Sequence, residues 1–337
     1  MRNRLHFLYT AIFACLAFVA CQWSLDFGKD GRAVTDVKIH RYDKLIDEYV
    51  ELNSFSALQK MSTDYPQETK FLIEDVLAIG AVSDDGINTR LREYYTDTIL
   101  QTLRRDALGR FSDMSALERD FTRAFRRLKR ELPHMPIPRV YAQISALNQS
   151  VVVGDSVLGF SIDKYMGADY PLYEQFYYSY QCRSMSPQRI VPDCLAFYLL
   201  SEYPFPWEWH RTLLDHILHR GKIHWVVAQL MQAATLEEEM GYTEEEGLWC
   251  KQHREEIWNH FVESGRLHST DPMLVRIYLQ PAECTYPLGE DSPGEVGVWI
   301  GCHIIDEYMA KNSHLTIADL LRDTDYRAIL KDLQLPY

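Results

Sequence analysis

Histidines are the residues whose type and spacing most invite chemistry here, with His210, His216, His219 and His224 all falling within residues 207–232. Neutral imidazoles are common metal ligands, and two of them about one helical turn apart can share a divalent cation. His216 and His219 share a face and are the candidate metal ligands, with Glu208 and Asp215 as supplementary carboxylates. His210 and His224 lie about two turns to either side, too far to complete one tetrahedral set without other segments. A hydrogen-bonded core or boundary role is the ordinary one for histidine on such a helix, so no cofactor is expected. Nucleophilic catalysis has less support, because GDSVLG at 154–159 only approximates the G-x-S-x-G elbow and sits between strands. Gly294, Gly297 and Gly301 lack the lysine and the strand-to-helix setting of a phosphate loop. The remaining group is aromatic: Tyr165, Tyr170, Tyr173, Tyr177 and Tyr178, joined by Phe176 and Tyr180. Tyrosine pairs an apolar ring with a hydrogen-bonding tip, so this segment is a candidate contact surface for a protein, peptide or glycan. Its alternative role is to pack a long connection onto a sheet.

The elements that must position these residues are mostly helical. In residues 207–232, His210, Leu214, Ile217, Gly221, His224, Ala228 and Met231 recur every three or four positions, which predicts a long amphipathic central helix. Gly221 lies on that stripe, where glycine costs about 1 kcal/mol relative to alanine, so a close approach by another segment is expected there. Ser115 and Glu118 form a capping-box pattern before the stripe Leu117, Phe121, Phe125, Leu128 and Leu132. Thr243 and Glu246 form another, and further helices are expected at 71–77, 91–103, 189–200, 243–263, 298–309 and 318–330. Val37, Ile39 and Arg41 alternate with polar neighbours, predicting a strand that enters a helix near Asp43. Val140, Ala142, Ile144 and Ala146 alternate likewise, as do Leu158, Phe160 and Ile162, with Val151 to Val153 between them. The expected fold class is therefore α+β, predominantly α-helical, with a small antiparallel sheet embedded among helices. Residues 280–296, rich in proline, glycine and acids, read as an exposed connection and a second candidate contact surface.

Composition bounds the function classes. The 337 residues are 47% hydrophobic and 25% charged, a folded globular profile, and the formal charge of −13 argues against a nucleic-acid binder. Arg2 and Arg4 precede a short apolar run to Ala20 that reads as a secretory signal rather than a spanning helix. Ala20 and Cys21 close it in the manner of a bacterial lipobox, making Cys21 the expected lipidation site and the membrane a partner through that lipid. Phe18 stands where leucine is usual, residues 12–15 offer a weaker second candidate, and an ordinary cleaved signal is the alternative. The division is then a signal at 1–20, a tether at 21–34 and a single globular body at 35–337. Cys182, Cys194, Cys250, Cys284 and Cys302 remain, an odd number without C-x-x-C spacing; a Cys182–Cys194 bridge and a set of buried free thiols are the two readings.

Short motifs in order suggest a family. VKIHRYD at 37–43, PRVY at 138–141, LGFSIDKYMG at 158–167, RGK at 220–222, GYT at 241–243, SPG at 292–294 and GVWIG at 297–301 resemble the GldB-type gliding-motility lipoproteins. The likeness covers essentially the whole mature chain. It implies a periplasm-facing envelope lipoprotein that supports gliding machinery and the associated protein-secretion system, with other motility or secretion proteins as partners. These lipoproteins are also distantly similar to predicted zinc peptidases, which implies a zincin-like body. A zincin needs H-E-x-x-H, two histidine ligands and a glutamate that activates water. The corresponding stretch here is VPDCLAFY at 191–198, and Arg220 stands where the peptidases place a later glutamate ligand. A fixed cation cannot ligate zinc. The resemblance thus implies a non-catalytic scaffold, with a residual zinc metallopeptidase-like hydrolase or a periplasmic glycan or peptide binder as the rival classes.

Overall fold

The computed structural model describes residues 34–208 and 211–337. The signal, Cys21 and most of the tether, as well as His210, lie outside the described residues. Chain entry follows the sequence pattern closely: strand β1 (His40–Arg41) runs straight into helix α1 (Tyr42–Leu52). Residues Thr35–Tyr337 form one compact unit.

The sheet corrects an expectation. Strands β2 (Arg139–Gln143), β3 (Val151–Val153) and β4 (Val157–Ser161) join β1 in the order β1-β2-β4-β3. Only β3 and β4 are antiparallel, paired Val152 to Gly159, whereas β1–β2 and β2–β4 are parallel. The sheet is therefore mixed rather than antiparallel. Alternation reports which side chains face inward but not strand direction, and the connection after β2 is long enough to carry the chain past one strand position. All five residues of β4 are buried, as expected where both faces of a sheet are covered. Helix α1 packs there through Tyr42, edge-on to Tyr141 at 6.1 Å between ring centroids. Helix α2 (Ser115–Glu131) brings Phe121 to 6.0 Å from Phe160.

Helix α2 begins at Ser115, but not through the predicted capping box. Asp113 accepts from the Ser115 N–H at 2.8 Å, and Glu118 instead accepts from the Ile39 N–H at 3.1 Å and the Lys38 ammonium at 3.0 Å. Thr243 and Glu246 do form their reciprocal cap. Runs expected as single helices at 91–103 and 318–330 break where Asp97 and Asp325 cap the amides of new helices.

Helix α3 (Ile190–Glu202) and the central helix α4 (Leu213–Met231) build the second half of the core with the short α5 (Leu236–Met240) and α6 (Val296–Lys311). The central helix starts at Leu213, where Thr212 and Asp215 cap each other, later than the stripe suggested. It is buried nearly all round rather than along one face. Gly221 meets the close approach its position called for: a Cβ there would lie 2.3 Å from the Gly301 carbonyl carbon of α6. A Cβ at Gly301 would lie 2.3 Å from the Ile217 carbonyl oxygen.

Candidate functional site

The tyrosine segment divides between interior and surface. Tyr165 and Tyr173 are buried, which removes them from any contact surface. Tyr173 donates to the Asp163 carbonyl at 2.6 Å and accepts from the Met166 N–H at 2.9 Å, while the Tyr165 hydroxyl donates to Asp193 Oδ2 at 2.9 Å. Tyr170, half-buried, donates to Asp106 at 3.0 Å. Tyr178 is 73% exposed and stacks on Tyr180, and Phe176 is 55% exposed. Tyr177 links the two sets: its hydroxyl donates to the Leu147 carbonyl at 2.7 Å, and the Lys164 ammonium lies 4.3 Å from its ring centroid.

Leu147 belongs to a strained turn. Ala146 and Leu147 hold φ values of 53° and 66° in succession, a left-handed region that residues with a Cβ seldom occupy. Asp163, wholly buried, holds the turn by accepting from the Ser145 N–H at 2.9 Å and the Leu147 N–H at 2.7 Å. Burial pushes its carboxyl pKa up, against the pull of those amides. Beside the turn lies a hollow of about 450 Å³, bordered by Ile99, Asn148, Phe176 and Tyr177. No sequence signal marked Ala146 and Leu147, because neither is a residue that favours that backbone.

The histidines of the central helix go separate ways. His219 is buried, its Nδ1 2.9 Å from the Tyr326 hydroxyl, and burial lowers its pKa to about 3. His216 stacks on Phe205 with 4.0 Å between centroids. His224 reaches Glu239 at 3.1 Å. Among the described residues no three His, Cys, Asp or Glu side chains come together in a group that could hold a metal.

A polar core that periodicity could not reveal lies where α3, α4, α5 and α6 meet. Asp193 of α3 is held by Arg189 at 2.8 Å and by Tyr165. Burial pushes its carboxyl up, against the Arg189 guanidinium. Arg189 also donates to the Glu239 carbonyl. Arg220, one turn before His224, has its Nε buried without a partner. Glu295 heads α6 with φ 57°, its carboxyl pushed up by burial and drawn down by Arg220. Fixed cations and tied carboxylates of this kind position helices.

The thiols are equally quiet. All five described cysteines are free, so the Cys182–Cys194 bridge does not form. Burial raises the Cys194 and Cys302 pKa values well above the ordinary thiol range, which keeps them protonated and unreactive. The predicted connection at 280–296 is folded back on itself, with Ser292 donating to the Thr285 carbonyl at 3.0 Å. It still exposes Glu283, Tyr286, Glu290 and Asp291.

Compared with known families, residues 27–334 match the gliding motility protein GldB. The chain belongs to the GldB family. No curated protein and no solved structure matches it. Several motifs that carry the family likeness fall on contacts that hold the body together. The GldB segment at 37–43 is the β1–α1 entry, and Asp163 in the 158–167 segment pins the strained turn. RGK at 220–222 and GVWIG at 297–301 supply the two sides of the α4–α6 crossing, and Lys222 reaches a different segment, donating to the Asp323 carbonyl at the end of the helix Ile317–Arg322 at 2.8 Å. Membership makes this a gliding-motility-related protein, and the family's lipoprotein character places it in the cell envelope at a membrane. Among the described residues no helix is long and apolar enough to cross a membrane.

Proposed function

We propose that this GldB-family protein is a lipid-anchored envelope component that serves gliding motility and its associated secretion machinery by holding other proteins rather than by catalysis. The observation that carries the reading is the family match over nearly the whole chain, residues 27–334. Anchoring through Cys21 rests on the lipobox-like sequence, with the body facing the periplasm. The absence of a reaction is supported by what fills the positions a zincin-like ancestor would use: Asp193 is engaged by Arg189 and Tyr165, and Arg220 is a cation. Zincin-like descent of the body belongs to the same proposal. The contact surface is assigned to the exposed rim of the tyrosine segment, Phe176 and Tyr178, together with Tyr286 of the 280–296 connection. Large exposed aromatics of this kind anchor protein interfaces.

The test replaces Tyr178 or Tyr286 with a photo-crosslinking residue in the cell. The expected result is capture of a motility or secretion protein, lost when Phe176 and Tyr178 become aspartate. Cys21→Ser should leave the protein unacylated and recoverable without detergent. Unchanged gliding and secretion in a deletion strain, or stoichiometric zinc with peptidase activity in the purified protein, would overturn the proposal.

A further inference from the structure

We propose that the free edge of β3, with the groove beside it, docks an extended peptide segment that carries alternate apolar side chains and a basic one. The segment joins the sheet as a fifth strand. This goes beyond the function proposed above and uses a different surface.

The argument begins with the ladder. Ser161 N–H donates to the Ser150 carbonyl and Gly154 N–H to the Val157 carbonyl, both at 2.9 Å, so residues 150, 152 and 154 turn their backbone groups toward β4. Val151 and Val153 must therefore direct theirs away from β4, since β3 is the last strand of the sheet; Val151 is buried, so the accessible part of the edge is at half-buried Val153. Among the described residues, the Val151 N–H, the Val153 N–H and the Val153 carbonyl have no protein partner. The fourth group, the Val151 carbonyl, accepts from the Gln149 side-chain amide at 3.1 Å. That edge acceptor is therefore already occupied from within the chain, and an incoming strand would have to displace the amide to pair there. At three residues the strand is short, which itself limits an edge, but it carries no lysine, proline or bulge to blunt it further.

The groove supplies the side-chain half of recognition. Its volume is about 490 Å³, and Phe71, Val76, Phe197 and Leu200 wall it beside the strand. Phe197 is 45% exposed there. Asp75 is the charged residue of the lining, no basic side chain lines it, and Asp155 and Glu202 are exposed in adjoining segments. Charge complementarity on a chain of net charge −13 selects a lysine or arginine in the occupant. Backbone pairing gives such a site affinity, and pockets for alternate side chains give it specificity.

The test uses the full chain in detergent solution and a fluorescein-labelled peptide of alternating valine and threonine flanked by lysines, read by anisotropy. Saturable binding is expected, weakened roughly three- to tenfold when the pairing amides of the peptide are N-methylated. Val153→Pro removes one outward N–H without touching the β4 ladder and should weaken binding similarly at an unchanged Tm. Asp75→Lys, at an exposed position, should weaken the lysine peptide and strengthen one flanked by glutamate. No saturable binding, equal binding of the methylated peptide, or indifference to both variants would overturn the proposal. So would dimerisation of the chain through this edge with no peptide bound. No envelope partner enters the assay, so its failure would leave the motility reading standing.

Discussion

At the scale of single residues, burial decides what the chemistry-bearing side chains do. His219 shares a helix face with His216, yet it sits in the core with its pKa lowered to about 3, chiefly by burial and also by the Lys222 and Arg220 charges. In the unfolded chain the ring titrates near 6.5. Between those values the unfolded state holds the additional proton. Folding stability is therefore full above pH 6.5 and falls as the pH drops toward 3, by at most roughly a few kcal/mol. Urea midpoints measured from neutral pH to about pH 5 should decline for the wild type and stay flatter for His219→Gln; equal slopes would place the proton elsewhere. Glu237 does not interfere in that range. Burial raises its carboxyl, but hydrogen bonds from Trp299, Lys251 and His303 outweigh burial and bring it to about 2, so its contribution is lost only below its ordinary 4.5.

At the scale of elements, two helix features separate sequence pattern from structure. Ser115 and Glu118 have capping-box spacing, but the N-terminal amide of α2 is satisfied by Asp113, and Glu118 ties the helix to the chain entry. Asp113→Ala is therefore expected to lower Tm more than Ser115→Ala; the reverse order would restore the capping box. The crossing of α4 and α6 is governed by backbone contact. Alanine at position 221 would gain about 1 kcal/mol of helix propensity on an open surface. Here its Cβ would meet the Gly301 backbone, which cannot yield as a flexible side chain can. The net result for Gly221→Ala is a loss of roughly 1–3 kcal/mol, read from the denaturation midpoint. A neutral or stabilising effect would mean that the helices can separate without loss.

At the scale of the whole molecule, the body relies on packing rather than on covalent staples. A chain of this length buries enough surface to be stable without disulfides. Cys182, Cys194, Cys250, Cys284 and Cys302 are all free. Alkylation in denaturant without reductant should therefore modify all five. Protection of Cys182 and Cys194 as a pair would show that they oxidise in the envelope. The same packing leaves two kinds of surface open, the aromatic rim at Phe176 and Tyr178 and the edge of β3.

The sequence by itself determined the predominance of helix, the central position of the 213–231 segment, the close approach at Gly221 and the family. Each of these is written in local spacing or in short ordered motifs. Tertiary structure alone decided the strand directions, the strained turn at Ala146 and Leu147, and the separate fates of His216, His219 and His224. It also decided the polar core around Asp193, Glu239 and Glu295. The reason is physical: periodicity records which face of an element avoids water. Which partner that face meets, and which charge ends beside which, depends on segments far apart in the chain, and no local pattern encodes that.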